Sequence, residues 1–213
     1  MTAAKGLRTA VLVSGSGTNL QAIIDHAAAG TLGIRLAGVI SDRPGVLALE
    51  RATRAGIPAQ TIDHARAGSS AAFQQQLAGA LAALEPELVV LAGFMRILGE
   101  GFVRRYAGRL LNIHPSLLPA FPGLHTHRRA LEAGCKLVGA TVHFVTSELD
   151  HGPIVMQSAV PVLPGDDEER LAERVLATEH VIYPQAVRWF VEGQLRLDGA
   201  RVHHLGGASQ VLM

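Results

Sequence analysis

The chain has 213 residues, of which 48% are hydrophobic and 17% are charged, and its formal net charge is +1. This length and composition suit a folded α/β protein with a substantial core rather than a disordered chain. The balanced charge offers no basic surface for nucleic acid, no apolar run reaches the length of a membrane span, and the first residues lack a signal peptide's apolar stretch. We therefore expect a cytoplasmic protein, monomeric or homodimeric, whose partners are small molecules.

Strands and helices alternate through the first half of the chain. Apolar, valine-rich runs that end at glycine or polar residues predict buried parallel strands, and apolar residues at helical spacing predict the helices between them. The predicted strands span residues 7–14, 34–41, 59–62 and 88–92, and the predicted helices span residues 18–29, 46–55 and 70–84. This βαβαβαβ order predicts a doubly wound, Rossmann-like sheet with ligands at the carboxyl ends of its strands.

The alternation weakens after Gly93. The later segments are predicted strands at residues 110–113, 138–146, 154–162 and 195–204, predicted helices at 125–133 and 166–191, and a loose tail at 206–213. Pro184 should kink or restart the last helix. The predicted fold class is therefore α/β, a mostly parallel sheet whose C-terminal half adds mixed or antiparallel strands and a long helix. We expect a single domain, residues 1–213, with two halves at residues 1–93 and 94–205.

A glycine-rich loop, SGSGTN at residues 14–19, joins the first strand to the first helix. Backbone amides freed by glycine, together with the positive end of a helix, suit a phosphate group. Gly15 and Gly17 also open a dinucleotide-binding pattern, and Asp42 stands where a ribose-binding acid would be, but Leu20 occupies the third glycine position. The pattern favours a monophosphate over a dinucleotide, and a glycine turn without a ligand is the third alternative.

A strand that ends in prolines carries an amide and an imidazole on one face. In LNIHPSLLP, residues 111–119, side chains alternate, so Asn112 and His114 point the same way while Leu111 and Ile113 point into the core. Asparagine can donate a hydrogen bond to an oxyanion, and histidine can stabilise charge or move a proton. The pair therefore indicates acyl or formyl transfer.

A second predicted strand breaks into an acidic loop, VHFVTSELDHGP at residues 142–153. A carboxylate close to His114 would favour a protonated imidazole. The residues by themselves leave Glu148, Asp150 and Asp63 as alternatives for that carboxylate. His143, in the middle of the strand, is interpreted as a hydrogen-bonded structural residue near the site.

The remaining histidine pair and the single cysteine indicate no chemistry of their own. His125 and His127 lie two residues apart, no third ligand has the spacing of a metal site, and we expect the pair to begin a helix. Cys135 has no disulfide partner and no motif of a nucleophile, so we interpret it as an incidental thiol.

Several motifs, in order along the chain, resemble one known family. VVLAGFMRIL, LNIHPSLLP, FPGLHTHRRAL and VHFVTSELDHGPIVMQ are similar to the formyltetrahydrofolate-dependent formyl transferases, and the similarity runs from about Leu7 to about Leu195. The resemblance implies transfer of a formyl group from the co-substrate 10-formyltetrahydrofolate to the amine of glycinamide ribonucleotide in purine biosynthesis, with no metal. Residues 1–93 would then bind phosphate, and residues 94–205 would bind folate and catalyse the transfer.

The resemblance also implies roles for individual residues. It selects Asp150 as the partner of His114, and its catalytic residues are Asn112, His114 and Asp150. It implies that the nucleotide substrate is bound by Gly17, Thr18, Asn19 and Glu179. It implies that the folate is bound by Met95, Arg96, Ile97, Leu98, Asn112, Thr146, Ser147, Glu148, Leu149 and Asp150.

One position departs from the family pattern, and two other functions stay open. The family often has an arginine, close to the glutamate tail of the folate, where this chain has Ser70, although Arg66 is nearby. One alternative is a sister reaction, either hydrolysis of formyltetrahydrofolate or formylation of an amine bound to tRNA or to a sugar. The other is a nucleotide-binding regulatory module without catalysis. The phosphate loop argues against a hydrolase, and the low charge argues against a tRNA substrate.

Overall fold

The computed structural model describes residues 6–213 of the chain. These residues divide into two units, the first ending at Leu111 and the second spanning Asn112–Met213. Within the described residues, no helix is both long and apolar enough to span a membrane.

The first unit contains four parallel strands. They are β1 (Leu7–Val13), β2 (Ile34–Ser41), β3 (Ala59–Thr61) and β4 (Leu88–Leu91). Their order across the sheet is β3-β2-β1-β4, with β1 parallel to both of its neighbours. The last four residues of β1, Ala10 to Val13, are fully buried, as the strands of a parallel sheet covered on both faces should be. The order and direction of these strands confirm the predicted Rossmann-like half.

Helices connect these strands, and a short one follows the last of them. They are α1 (Thr18–Ala28), α2 (Leu47–Arg54), α3 (Ser70–Ala83) and α4 (Glu100–Arg105). The predicted inner face of α1 is buried through Leu20, Ile23 and Ile24. The helix α4 was not predicted, because six residues are too few to show a helical repeat in the sequence.

The carboxyl ends of β1 and β4 lie side by side, because β1 separates β2 from β4 in the sheet. The loops that follow the two strands are joined by a hydrogen bond of 2.8 Å from the Met95 amide to Ser14 Oγ. In open α/β sheets this point, where the order of the strands reverses, is where ligands bind.

The second unit begins within a strand and is mostly antiparallel. Its strands are β5 (Leu110–His114), β6 (Leu137–Phe144), β7 (Ile154–Pro161), β8 (Leu195–Asp198), β9 (Arg201–His204) and β10 (Val211–Leu212). Strands β6 and β7 pair antiparallel, as do β8 and β9. Two helices, α5 (Thr126–Glu132) and α6 (Glu168–Val191), complete the unit. The antiparallel strands and the long α6 confirm the predicted character of the C-terminal half.

The long helix α6 is continuous through Pro184, so the predicted restart of the helix does not occur. Proline cannot donate the amide hydrogen bond of a helix interior. The helix packs on the sheet through its buried face, on which Leu171, Val175, Ile182 and Tyr183 are each 0% exposed.

Two predictions for the C-terminus are wrong. The segment 195–204 is a hairpin rather than one edge strand, because Gly199, at φ 59°, reverses the chain between β8 and β9. The expected loose tail ends in β10, which pairs in parallel with β7 at Gln157 and Ser158. Both segments consist of strands of two to four residues whose pairing partners are set by the tertiary structure.

Asp166, just before α6, should make the stability of the fold depend on pH. A side-chain hydrogen bond from Arg174 and a backbone hydrogen bond from Leu163 lower the pKa of Asp166 from 3.8 to about 2. The interaction therefore stabilises the fold above about pH 4 and is lost as the pH falls from 4 towards 2. Asp166→Asn should lower the melting temperature at pH 7, and the difference from wild type should shrink towards pH 2. Thermal unfolding across this range measures it, with Glu169→Gln, an exposed carboxylate of α6, as the control; a difference that stays constant with pH would contradict the prediction.

Candidate active site

The strand β5 brings Asn112 and His114 to the same face, as its alternation predicts. Asn112 is half-buried and His114 is 6% exposed, while Leu111 and Ile113 lie in the core. Both polar side chains belong to the second unit. The strand therefore holds an amide and an imidazole on rigid backbone.

His114 has an oxygen atom near each of its ring nitrogens. Its Nε2 lies 3.0 Å from the carbonyl oxygen of Phe121, which can only accept a hydrogen bond, so Nε2 carries a hydrogen. Its Nδ1 lies 3.5 Å from Oδ2 of Asp150. An imidazole that carries hydrogen on both nitrogens is cationic, and a carboxylate beside Nδ1 complements that form.

Asp150 is held in place by its backbone and by a neighbouring loop. Its φ of 53° is in the left-handed region, which aspartate tolerates better than most residues. Its Oδ2 accepts a hydrogen bond of 2.8 Å from the Gly123 amide, and its side chain is 9% exposed. The carboxylate is therefore fixed beside His114 instead of being solvated.

The other two carboxylates that the sequence left open have different neighbours. Glu148 is exposed, and its Oε1 lies 3.9 Å from Nδ1 of His151. Asp63, in the first unit, lies 3.4 Å from Nε of Arg66. Of the three alternatives, the structure shows Asp150 in contact with His114.

His143 orients the amide of Asn112. Its Nδ1 donates to the carbonyl of Phe144 at 3.0 Å, so its Nε2 holds a lone pair and accepts a hydrogen bond from Nδ2 of Asn112 at 3.1 Å. Burial lowers the pKa of His143, and this effect exceeds the opposing effects of the Phe144 carbonyl and of Asp150. His143 is therefore neutral, and it leaves the second hydrogen on Nδ2 of Asn112 for another acceptor.

Gly152 makes this arrangement possible. A Cβ atom at Gly152 would lie 1.6 Å from the Phe144 carbonyl oxygen and 3.3 Å from Nδ1 of His143. Only glycine at this position allows the acidic loop to pass so close to the Phe144 carbonyl. This carbonyl is the group that sets the tautomer of His143.

The SGSGTN loop of the first unit presents uncapped amides. Gly17 has φ 71°, and a Cβ atom there would lie 2.7 Å from Cα of Ala48. The helix α1 begins at Thr18 and no side chain caps it, which is the arrangement found at anion sites on helix N-termini. Arg51 donates from Nε to the Ser16 carbonyl at 2.9 Å and places a cation at the loop. Sequence reasoning missed Arg51, because it lies on α2 and only the fold brings it to the loop.

Asp42 does not fit the dinucleotide alternative. Its side chain is 0% exposed, and its Oδ2 pairs with Nε of Arg96 at 2.5 Å. A carboxylate that binds a ribose hydroxyl has to be accessible to the ligand. The structure therefore favours the monophosphate interpretation of the loop.

The other predicted binding residues lie in three places. In the first unit Met95 and Ile97 are 58% and 74% exposed, whereas Leu98 is buried. In the acidic loop of the second unit, Ser147, Glu148 and Leu149 are exposed, and Thr146 is half-buried. Glu179 lies on α6 and is 6% exposed. The exposed apolar side chains of Met95 and Ile97 are therefore accessible to a ligand.

The histidine pair lies at the start of a helix, α5, as the sequence predicts. His125 is the N-cap residue of α5, with φ 58°, and His127 lies in its first turn. Within residues 6–213, no group of three His, Cys, Asp or Glu side chains is arranged to hold a metal ion.

Comparison with known proteins gives consistent matches. The family model described as formyl transferase matches residues 7–187. The chain is 48% identical over 206 residues to phosphoribosylglycinamide formyltransferase of Escherichia coli (strain K12), with 93% of this chain and 97% of the relative covered. The crystal structure of glycinamide ribonucleotide transformylase 1 from Symbiobacterium toebii is 53% identical, with a TM-score of 0.91 and 94% of each chain covered. Formyltetrahydrofolate deformylase from Burkholderia mallei is 31% identical, with a TM-score of 0.84 over 93% of this chain and 70% of that one.

His143→Gln should reduce the loss of stability on acidification. Burial lowers the pKa of His143 below 6.5 in the folded chain. As the pH falls below 6.5, the histidine therefore takes up a proton in the unfolded chain but not in the folded chain, and the folded state loses stability. His143 lowers the free energy of unfolding of the wild type by at most about 1.4 kcal/mol per pH unit. The variant lacks this group, so it should lose less stability than the wild type between pH 7.5 and 5.5. Urea unfolding at several pH values measures the difference.

The control is Thr141→Val. It removes a buried hydroxyl that bonds to the carbonyl of Ser116 but does not titrate, so it should lower stability equally at every pH. Equal pH slopes in wild type and His143→Gln would show that His143 is not the buried neutral base described above.

Proposed function

The chain belongs to the formyl transferase family, and we infer from this membership and from its active-site geometry that it transfers a formyl group from 10-formyltetrahydrofolate to the amine of glycinamide ribonucleotide. This reaction is a step of purine biosynthesis. The observation that carries the proposal is the cluster of Asn112, His114 and Asp150 in the second unit. Asn112 supplies a hydrogen-bond donor for an oxyanion, and Asp150 places a carboxylate beside the imidazole of His114.

The proposed reaction proceeds by direct attack of the substrate amine. The nitrogen lone pair forms a bond to the formyl carbon, and the carbonyl π electrons move to the oxygen. The free hydrogen on Nδ2 of Asn112 then donates a hydrogen bond to the oxyanion. The positive charge of the protonated His114 ring, whose two nitrogens face Phe121 and Asp150, stabilises the oxyanion electrostatically. When the tetrahedral intermediate collapses, the bond between carbon and N10 of the folate breaks.

One proton has to move from the attacking amine to the departing folate nitrogen. Asp150 stabilises the cationic ring of His114 and keeps it oriented, and a water molecule is proposed to carry the proton between the two nitrogens. No covalent bond to the protein forms, so neither a serine nor Cys135 is required as a nucleophile.

The binding residues are proposed separately for each ligand. The amides at Gly17, Thr18 and Asn19 would bind the phosphate of the nucleotide, and Glu179 would interact with its amine or ribose. The folate would contact Met95, Arg96, Ile97 and Leu98 after β4, Asn112 on β5, and Thr146, Ser147, Glu148, Leu149 and Asp150 in the acidic loop. The exposed Met95 and Ile97, with main-chain groups beside them, support binding of a flat ring at the first of these segments.

Hydrolysis of formyltetrahydrofolate is the nearest alternative. The phosphate loop supports the transferase, because a hydrolase has no phosphorylated acceptor to bind. The two activities are distinguished by release of tetrahydrofolate, followed by absorbance, with and without glycinamide ribonucleotide. The proposal requires release that depends on the nucleotide, produces formylated nucleotide in equal amount and shows no burst. Release at an equal rate without the nucleotide would establish the hydrolase instead.

Asn112→Ala and His114→Ala should each slow turnover while leaving the fold intact. Loss of one oxyanion donor costs about 10²–10³ in rate. Steady-state turnover at saturating concentrations of both substrates measures the effect, and His203→Gln, on the exposed surface of β9, is the matched control. A variant that binds both substrates normally and keeps more than about a third of wild-type turnover would show that its assigned role is wrong.

Gly17→Ala should weaken binding of the nucleotide selectively. The added Cβ atom would lie 2.7 Å from Ala48, so the loop has to shift and its amides lose their alignment with the phosphate. We expect the KM for glycinamide ribonucleotide to rise about tenfold, equivalent to about 1.4 kcal/mol, with little change in the KM for the folate. Gly79→Ala is the control, because nothing lies within 4 Å of a Cβ atom there. A rise in the folate KM alone would show that the two ligands have been assigned to the wrong residues.

A further inference from the structure

The segment that follows β4, residues 95–99, has no regular secondary structure, yet side chains from three other elements hold it. Ser14, at the end of β1, accepts a hydrogen bond of 2.8 Å from the Met95 amide. Asp42, after β2, pairs with the Arg96 guanidinium. Gln74, on α3, bonds to the main chain at two positions.

Gln74 pairs with the segment as a backbone peptide would. Its Nε2 donates to the Ile97 carbonyl at 2.8 Å, and its Oε1 accepts from the Gly99 amide at 3.2 Å. One side-chain amide therefore forms hydrogen bonds with a main-chain carbonyl and a main-chain amide that would otherwise have to bond to water. These two bonds fix the position of the segment relative to α3.

Asp42 fixes the segment through charge. Its carboxylate is fully buried, and Nε of Arg96 lies 2.5 Å from Oδ2, whereas Nε of Arg43 lies farther away, at 3.7 Å. Among residues 6–213, the buried Oδ1 of Asp42 has no hydrogen-bond partner. A buried carboxylate with so few partners depends on its arginine, so the backbone of Arg96 cannot move away without exposing an unpaired charge.

These contacts use alternate main-chain groups of the segment. The amides of Met95 and Gly99 and the carbonyl of Ile97 are occupied. Within residues 6–213, the main-chain amides and carbonyls of Arg96 and Leu98 take part in no hydrogen bond. The carbonyl of Met95 and the amide of Ile97 are likewise without a hydrogen bond among these residues. The segment therefore presents a run of free donors and acceptors on a backbone that is held at Met95, Ile97 and Gly99.

We propose that Gln74 and Asp42 are positioning residues that hold the free main-chain groups of Arg96 and Leu98 in register with the hydrogen-bonding edge of the folate ring. The proposal rests on the proposed function, which assigns this segment to the folate. A flat heterocycle with donors and acceptors along one edge needs partners at fixed spacing, and a displacement of the segment weakens several hydrogen bonds together. Neither side chain has to touch the ligand.

The test compares Gln74→Ala with Gln75→Ala. Gln75 is the next residue on α3, is exposed and has no hydrogen bond to the segment, so the two substitutions are chemically identical. In Gln74→Ala the KM for 10-formyltetrahydrofolate should rise about tenfold, as expected for the loss of two hydrogen bonds, while kcat and the KM for glycinamide ribonucleotide stay within twofold of wild type. Gln75→Ala should match wild type in all three constants.

A second variant and a direct binding measurement keep the inference separate from the proposed function. Asp42→Asn keeps the shape of the side chain but removes its charge, and it should raise the same KM selectively. Calorimetric titration with 5-formyltetrahydrofolate, a stable isomer of the co-substrate, should show weaker binding to both variants than to wild type. If wild type does not formylate the nucleotide but binds this probe, and Gln74→Ala binds it more weakly, the proposed function fails and the inference stands.

Three results would overturn the inference. The first is an unchanged folate KM in Gln74→Ala together with normal formylation by wild type. The second is an equal rise in the KM for both substrates, which is what general loosening of the first unit would produce. The third is an equal effect of Gln74→Ala and Gln75→Ala, which would show that α3 as a whole, and not the bonds of Gln74, determines folate binding.

Discussion

The arrangement of the candidate active site depends on one buried, neutral imidazole. His143 is 2% exposed and uses both ring nitrogens, donating to the Phe144 carbonyl and accepting from Asn112. Because the ring is neutral, it adds no positive charge to the site, and because its tautomer is fixed, it determines which way the Asn112 amide points. A protonated ring would donate from both nitrogens and would turn that amide around, with its oxygen towards His143. Burial, which lowers the pKa of His143, is therefore part of the chemistry of the site as well as of its stability.

The parts of the fold that the sequence predicted are those that local patterns determine. The buried strands β1, β2 and β4 are apolar runs, and β5 alternates, so both kinds of strand are visible in the sequence. The hairpin of β8 and β9 and the pairing of β10 were missed, because they depend on where the chain returns to the edge of β7. These strands are only two to four residues long, and so short a strand has no clear pattern of its own in the sequence.

The same distinction applies to the active site. Alternation along β5 put Asn112 and His114 on one face, but no local pattern distinguishes Asp150 from Glu148 two residues earlier. The difference is tertiary: the left-handed conformation of Asp150 turns its carboxylate towards the Gly123 amide and His114, while Glu148 faces solvent. Arg51 and Gln74 were missed for a related reason, because each contacts a loop that is more than 20 residues away in sequence. Only motif similarity to the formyl transferases could select Asp150 in advance.

The low net charge of the chain implies that ligands are selected by geometry more than by long-range attraction. With a net charge of +1, no field of one sign covers the molecule, and an anionic substrate depends on groups that touch it. Under the proposed function the first unit supplies such groups from its main chain. No side chain caps the first turn of α1, and in the described part of the chain the segment after β4 has amides and carbonyls without a hydrogen bond. Main-chain groups can distinguish one ligand from another only when the backbone cannot shift to fit both. This requirement accounts for the buried or paired side chains that support the phosphate loop and the segment after β4. Gly17 packs against Ala48 beneath the phosphate loop, and Asp42 and Gln74 support the segment after β4. Asp42, which stands where a dinucleotide-binding protein would use a carboxylate to contact its ligand, is here fully buried and pairs with Arg96 in the segment after β4.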